Sequence, residues 1–331
     1  MPRPPLLPSV LGRDRFRWLR RIEELDPETD YHEIYRISAG FEFPWDYNRA
    51  LELALYRTYC VPSISALLDA TGEFGRRGQK RYDDTSLLMG EIVEHGVDSE
   101  RGRQSLRNIN RMHNRFAISN DDMLYVLSTF VFEPMDWLDR YGWRRLTEAE
   151  RQAALHYYTA VGRRMNIRDI PADLESFRAF KEGYEREHFR YADTNARVGQ
   201  ATLDIFRAWF PAPLRPAADA GVRALLDEPM LEAFGFRPAP RWLRRMVDAA
   251  LRLRARAVAQ LPPRRVSRLA ADKRNRTYPG WPGGYAVEQL GAPEPTGLDP
   301  RWLRSPAGSA DPAGPARSAG PTDAAEPTES A

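Results

Sequence analysis

The residues with the widest choice of chemistry are five histidines: His32, His95, His113, His156 and His188. No two of them stand at H-x-x-H or H-x-x-x-H spacing, and His32-Glu33 has no second histidine to complete H-E-x-x-H. That excludes a zincin-type zinc site, which needs two imidazoles on one helix face. A G-x-S-x-G elbow, a phosphate loop and a G-x-G-x-x-G fingerprint are also absent. The glycine-bearing run Thr71 to Gly78 lacks the Lys-Ser/Thr that a phosphate loop requires. Cys60 is the single cysteine, so neither an internal disulfide nor a cysteine-rich zinc site can form.

His113 differs from the other four. It follows Ile109 by four residues and Leu106 by seven, which on a helix places it on the apolar face. A buried imidazole needs a partner for each ring nitrogen. Spacing alone fits two readings. One is a core histidine bonded to a neighbour. The other is a metal or haem ligand, with its second nitrogen held by an acceptor. A second constellation is Gln79 to Thr85, in which Arg81 and Thr85 are four apart and share a helix face. It reads equally as an exposed charged helix start or as a cation and a hydroxyl aimed into a pocket. Asn120-Asp121-Asp122 is explained by helix capping, and Glu133-Pro134 reads as a helix end.

The elements that must position these residues read as helix after helix. Few runs alternate with period two, so a sheet is not expected. Pro44 to Tyr59 begins with proline at a helix start, and Arg81 to His95 runs helically to Gly96. Asp98-Ser99 opens the helix carrying His113, and Ser119 opens the next. Thr147 and Glu150 form a capping box, and Pro171-Ala-Asp starts a further helix. Other segments centre on Phe206 and Leu225. The last long helix, Arg241 to Leu261, places Leu243, Met246, Val247, Ala250 and Leu253 on one side and arginines mostly elsewhere. It reads as a core-facing helix with a solvated basic side, or as one in peripheral contact with anionic lipid.

The chain has 331 residues, 42% of them hydrophobic, enough for a sizeable core. Its 49 basic and 46 acidic residues leave a net charge of +3 with no dominant basic stripe, which argues against a nucleic-acid partner. No apolar run reaches the ~18 residues of a membrane span, and no signal peptide is visible at the N-terminus, so a cytoplasmic protein is expected. Ser305 to Ala331 has no aromatic and no large aliphatic residue, a composition that cannot offset the entropy of ordering. The expected architecture is all-α. A single multi-helix domain spans 31–294, between an N-terminal extension at 1–30 and a disordered Pro/Ala-rich tail at 295–331.

Five blocks carry a family resemblance: EFPWDYNRALELALYRTYCVPSISALL (Glu42 to Leu68), TGEFGRRGQKRYDDTSLLMGEIVEHG (Thr71 to Gly96), RNINRMHNRFAISNDDMLYVLSTFVFEP (Arg107 to Pro134), YGWRRLTEAER (Tyr141 to Arg151) and YPGWPGGYAVEQLG (Tyr278 to Gly291). In this order, over about Tyr31 to Gly291, the chain resembles the catalytic domain shared by the ER-bound oxygenase MpaB, its MpaB-prime relatives and the rubber oxygenases, or latex-clearing proteins. The resemblance implies that the domain is a single globin-like multi-helix fold holding haem b, with His113 at the place of the proximal iron ligand. It also places Arg81 and Thr85 at the matching positions of the distal R-x-x-K-T motif, where Asp84 stands in place of the lysine. That departure argues against rubber as the substrate, and the ISNDDMLY segment (Ile118 to Tyr125) with the Glu133-Pro134 ending fits the MpaB branch better.

The function expected from the resemblance is a haem-dependent oxygenase. It would use O2 to cleave a carbon–carbon double bond of a prenyl or other apolar small molecule. Arg81 would stabilise charge on bound oxygen or anchor a haem propionate, and Thr85 would hydrogen-bond the distal ligand. A non-catalytic helical haem carrier, a sensor or a peripheral membrane protein of the same fold is the alternative. The sequence leaves the oligomeric state open.

Overall fold

A computed structural model describes residues 14–268, 284–293 and 297–304. Among the described residues, thirteen α-helices follow in order: α1 (Arg17–Glu23), α2 (Tyr31–Ile37), α3 (Pro44–Thr58), α4 (Pro62–Thr71), α5 (Glu73–His95), α6 (Glu100–His113), α7 (Asn120–Tyr141), α8 (Glu148–Arg164), α9 (Leu174–His188), α10 (Asp193–Ala208), α11 (Arg215–Leu225), α12 (Glu228–Phe234) and α13 (Arg241–Ala259). No strand is present among the described residues. An isolated bridge joins Phe116 to Leu303. The all-α class follows from the helical periodicity of the sequence. No helix of the described residues is long and apolar enough to cross a membrane.

Local chemistry sets several boundaries. Ser99 accepts from the Gly102 N–H and Ser119 from the Asp122 N–H, each satisfying a donor at a helix start. Thr147 and Glu150 complete a reciprocal capping box. Gly96 ends α5 at φ +86°, a backbone conformation that glycine adopts without a side-chain penalty. The helix expected from Pro171 begins three residues later, at Leu174, because Asp173 takes the N-cap and accepts from Ser176 at 2.8 Å.

Glu133-Pro134 is not a helix end. Pro134 lies inside α7, which continues to Tyr141. An interior proline costs a helix about 3 kcal/mol. Here the cost is outweighed because α7 packs along α3, α8 and α9 and buries Phe132, Pro134, Met135 and Leu138. Glu133 meets Lys181 at 2.9 Å and Arg57 at 3.4 Å within that packing.

The main core draws on α2, α3 and α5 to α9. Tyr35 stacks on Tyr157 with centroids 4.2 Å apart, and its hydroxyl lies 2.8 Å from that of Tyr158. A second apolar cluster joins the end of α3 to α10 and α12 through Tyr56, Cys60, Phe206 and Phe234. Cys60 is fully buried there, as a small apolar residue. The glycines of the Thr71–Gly78 run serve the helix junction and its packing. Gly72 turns at φ +65°, and a Cβ on Gly78 would stand 2.7 Å from Ile205 of α10.

The long C-terminal helix departs from a core-facing reading. Leu243 and Ala255 are buried, but Met246 is 54% and Leu253 65% exposed. The inward side is instead anchored by Arg254, which donates to Asp46 at 2.9 Å and covers Trp45 at 3.7 Å. Residues 297–304, inside the range expected as tail, fold back on the loop after α6. Ala117 N–H donates to Trp302 O and Arg304 N–H to Arg115 O, both at 3.0 Å. The tail from Ser305, the first 13 residues of the expected N-terminal extension and residues 278–283 of the fifth block lie outside the described residues.

One buried charge network holds the α2–α3 junction to α8. Arg144 donates to Glu150 at 2.7 and 2.9 Å and to Glu42 at 3.0 Å, while Arg15 adds a bond to Glu42 at 3.1 Å. Glu42 and Glu150 are both essentially inaccessible to solvent. Removing one partner of a buried pair leaves an uncompensated charge, worth about 3–5 kcal/mol. Arg144→Leu is therefore expected to destabilise the fold by about 3–5 kcal/mol, read as a lowered midpoint in urea unfolding. A loss as small as that of a surface substitution would contradict this account.

Candidate active site

Helices α5 and α6 form an antiparallel hairpin around the Gly96–Ser99 turn. Arg81 lies 14 residues before His95 (95 − 81), and His113 lies 14 residues after Ser99 (113 − 99). The two side chains therefore fall at the same level of the hairpin. The structure brings them close enough for the Arg81 charge to act on the imidazole.

His113 is the last residue of α6, below the buried Leu106 and Ile109 on the same face. The residue keeps partial exposure, but its Nδ1 is buried with no hydrogen-bond partner. Loss of water around the ring, and then the Arg81 charge, lower its pKa to about 4. The imidazole is thus neutral at physiological pH, the form that offers a lone pair to a metal. Leaving a buried polar atom unsatisfied costs about 1–3 kcal/mol. Such atoms point to a role beyond packing.

Arg81 is half-buried, and its guanidinium has no ion pair or hydrogen bond among the described residues. Thr85 lies one turn on. Its hydroxyl donates to Arg81 O at 3.0 Å, which leaves the oxygen lone pairs to accept.

Sequence reasoning missed Tyr59. It sits at the C-cap of α3, is only 7% exposed, and packs edge-on to Phe74 with centroids 5.2 Å apart. Burial pushes its phenol up to about 12, although the Arg81 charge pulls it down. Arg81 therefore lies near both Tyr59 and His113. The Tyr59 hydroxyl has no partner among the described residues. Its only signal in the sequence is a polar aromatic at the end of an apolar helix, which does not reveal what it faces.

A strap beside the hairpin locks its register. Asn108 Nδ2 donates to Val287 O at 2.9 Å and to Leu290 O at 2.7 Å. Gly291 N–H donates to Asp84 at 3.0 Å, Lys80 donates to Gly291 O at 3.0 Å, and Lys80 and Asp84 form an ion pair. Asp84 thus ties α5 to the strap. Gly291 stands at φ +112°, and a Cβ there would lie 2.3 Å from the sulfur of Met112, the neighbour of His113. On the other side, Tyr82 donates to Glu52 of α3, which also pairs with Arg49. Burial raises the Glu52 carboxyl to about 7 against both contacts.

Among the described residues, no group of three His, Cys, Asp or Glu side chains converges to hold a metal ion. A lone neutral histidine suits a metal that brings its other ligands with it, as iron does in haem. The donor set, the orphaned Nδ1 and the unpartnered Arg81 cation together fit a haem group with its anionic carboxylates.

Comparison with known proteins places this architecture in a class of helical oxygenase domains. The profile of the family "ER-bound oxygenase mpaB/B'/Rubber oxygenase, catalytic domain" matches residues 50–261. The chain belongs to that family. It is 33% identical over 190 residues to the ER-bound oxygenase mpaB of Penicillium roqueforti (strain FM164), covering 52% of this chain and 64% of that protein. It is 26% identical over 258 residues to the ER-bound oxygenase mpaB' of Penicillium brevicompactum, covering 72% of this chain and 61% of that one. The chain thus spans less than two thirds of the length of these relatives. Latex clearing protein LCP in its closed state shares the fold, with a TM-score of 0.50 at 15% identity over 80% of this chain and 76% of that one.

Two outcomes follow from the site's geometry. Gly291→Ala is expected to destabilise the fold by about 1–3 kcal/mol through overpacking against Met112, measured by urea unfolding. Glu52 gives a pH signature. Its folded pKa lies above the unfolded value, so its neutral form stabilises the fold fully below about pH 4.5, and this is lost as pH rises through about 7. Between pH 5 and 8, wild type is expected to lose up to about 3 kcal/mol relative to Glu52→Gln. Parallel stability profiles for the two proteins would refute the assignment.

Proposed function

We propose that the protein is a haem b-dependent oxygenase that uses O2 to cleave a carbon–carbon double bond in a prenyl or other apolar substrate, giving carbonyl products. The observation that carries this reading is the neutral His113, whose buried Nδ1 is unpartnered, beside an arginine cation that has no ion pair among the described residues. Membership in a family of oxygenase catalytic domains supports the reaction class.

His113 would hold the iron through its neutral imidazole. When bound, the haem supplies an iron that activates dioxygen, while the protein supplies orientation and electrostatics. Arg81 offers a fixed positive charge for a carboxylate of the cofactor. Tyr59 stays protonated across the physiological range and would offer a hydroxyl donor near Arg81. Thr85 contributes an acceptor. Leu88, Leu106 and Ile109 of α5 and α6 are buried in the apolar core, surroundings that would favour an uncharged hydrocarbon over a polar substrate. Asp84, engaged with Lys80 and Gly291, performs a structural role at the position where rubber oxygenases have lysine.

Protein produced with an adequate haem supply is expected to show a Soret band that disappears in His113→Ala. Arg81→Leu should retain the fold and weaken haem retention roughly tenfold, the loss of one charge-assisted contact. Aerobic incubation of the wild type with farnesyl-type compounds should consume O2 and yield carbonyl products. A colourless wild type under these conditions refutes haem binding. A coloured protein that consumes no oxygen with any such substrate refutes the oxygenase reading and leaves a carrier.

A further inference from the structure

Helix α13 carries more apolar surface than its packing uses. Its inward side is complete: Leu243 and Ala255 are buried, Arg254 bonds Asp46 and covers Trp45, and Asp248 meets Arg140 at 3.2 Å. Yet Trp242 is 66%, Met246 54% and Leu253 65% exposed, and Ala249 and Ala257 are exposed between and beyond them. Positions 242, 246, 249, 253 and 257 recur at intervals of four and three, so they form one stripe along the outward face. Leu261 and Val266, 54% and 59% exposed, follow just past the helix end.

The stripe is flanked by charge of one sign. Arg241, Arg245 and Arg256 lie one position before stripe residues, are exposed, and have no ion-pair partner among the described residues. The helix has one acidic residue, Asp248, and it is already shared between Arg140 and Arg252.

We propose that the outward face of α13 docks the protein on the surface of an anionic phospholipid bilayer. A bilayer surface offers headgroup anions and, about 5–10 Å deeper, an apolar phase, which is the order in which this face presents arginine and then Trp, Met and Leu. Tryptophan is also the side chain that settles at the headgroup boundary. A second copy of the chain is a poor occupant, because it would bring another unpaired arginine row and no acidic complement. This inference does not depend on haem, since it rests on a surface remote in sequence from His113.

The test is co-sedimentation of the full chain with vesicles of phosphatidylglycerol and phosphatidylcholine in equal parts, against phosphatidylcholine alone. The expected result is binding to the anionic vesicles only, weakened by salt and unaffected by millimolar inorganic phosphate. Combined Arg241→Ser, Arg245→Ser and Arg256→Ser substitutions should weaken it at least roughly tenfold. Combined Trp242→Ser, Met246→Ser and Leu253→Ser substitutions should abolish it, with circular dichroism confirming that the helices remain. Brominated lipid should quench part of the wild-type tryptophan emission, and Trp242→Phe should remove that quenching while binding persists. Failure of the wild type to bind anionic vesicles at low salt overturns the proposal. So does binding that neither set of substitutions changes. Lipid-independent self-association that the apolar substitutions abolish would assign the stripe to a second copy and overturn it as well.

Discussion

The site depends on holding one imidazole with its Nδ1 sealed from water beside a cation that has no counter-ion among the described residues. Water removal and the Arg81 charge both act against a proton on His113. The ring therefore enters any ligand interaction as a neutral base. In water the same pair would be of little consequence, since exposed charges a few ångströms apart interact by only about 1 kcal/mol. Burial makes the arrangement consequential, and the surrounding structure serves that burial. The hairpin sets the two side chains at one level, and the strap fixes the hairpin.

The strap shows how a single substitution relative to a related motif can change the use of a position. A carboxylate at 84 cannot serve as a neutral amine ligand. Here it accepts from the Gly291 N–H and from Lys80, one turn earlier on α5. The lysine charge is thus tied to the strap, and Arg81 stays free of Asp84. Had Arg81 paired with Asp84, its charge on His113 would have been largely cancelled, and no cation would remain for an incoming carboxylate. The i, i+4 pairing of Lys80 with Asp84 keeps the neighbouring arginine available.

Much of this geometry could be read from local sequence, and some could not. The inward position of His113 follows from its spacing to Leu106 and Ile109. Its level with Arg81 follows from counting along two helices joined by a glycine-capped turn. The caps at Ser99, Ser119 and Thr147 are local chemistry, so the helix starts were visible. Tyr59 was not visible, because its relation to Arg81 depends on how α3 lies against α5. Pro134 misled because its local penalty is overridden by burial against α3 and α9, which appears only in the assembled fold. The outward face of α13 misled for the opposite reason. Apolar spacing marks a face that avoids water, but it does not say whether protein or some other phase covers it.

The two faces of α13 also bear on the site. Arg254 reaches inward to Asp46 of α3, and Asp46 in turn accepts from Trp137 of α7 at 3.2 Å. The pair of helices that makes up the centre of the fold is therefore tied directly to the surface helix. Asp46 is almost wholly buried, and burial pushes its carboxyl up despite the Arg254 charge. Pulling Arg254 away would leave that carboxyl without its main cationic partner, so α13 is held firmly on its inner side whatever meets its outer one. A surface helix with a fixed inner face and an unsatisfied outer face gives the molecule a defined orientation toward whatever it docks on. The α3–α7 pair would then be positioned at a set height above that surface, and with it the hairpin that carries His113.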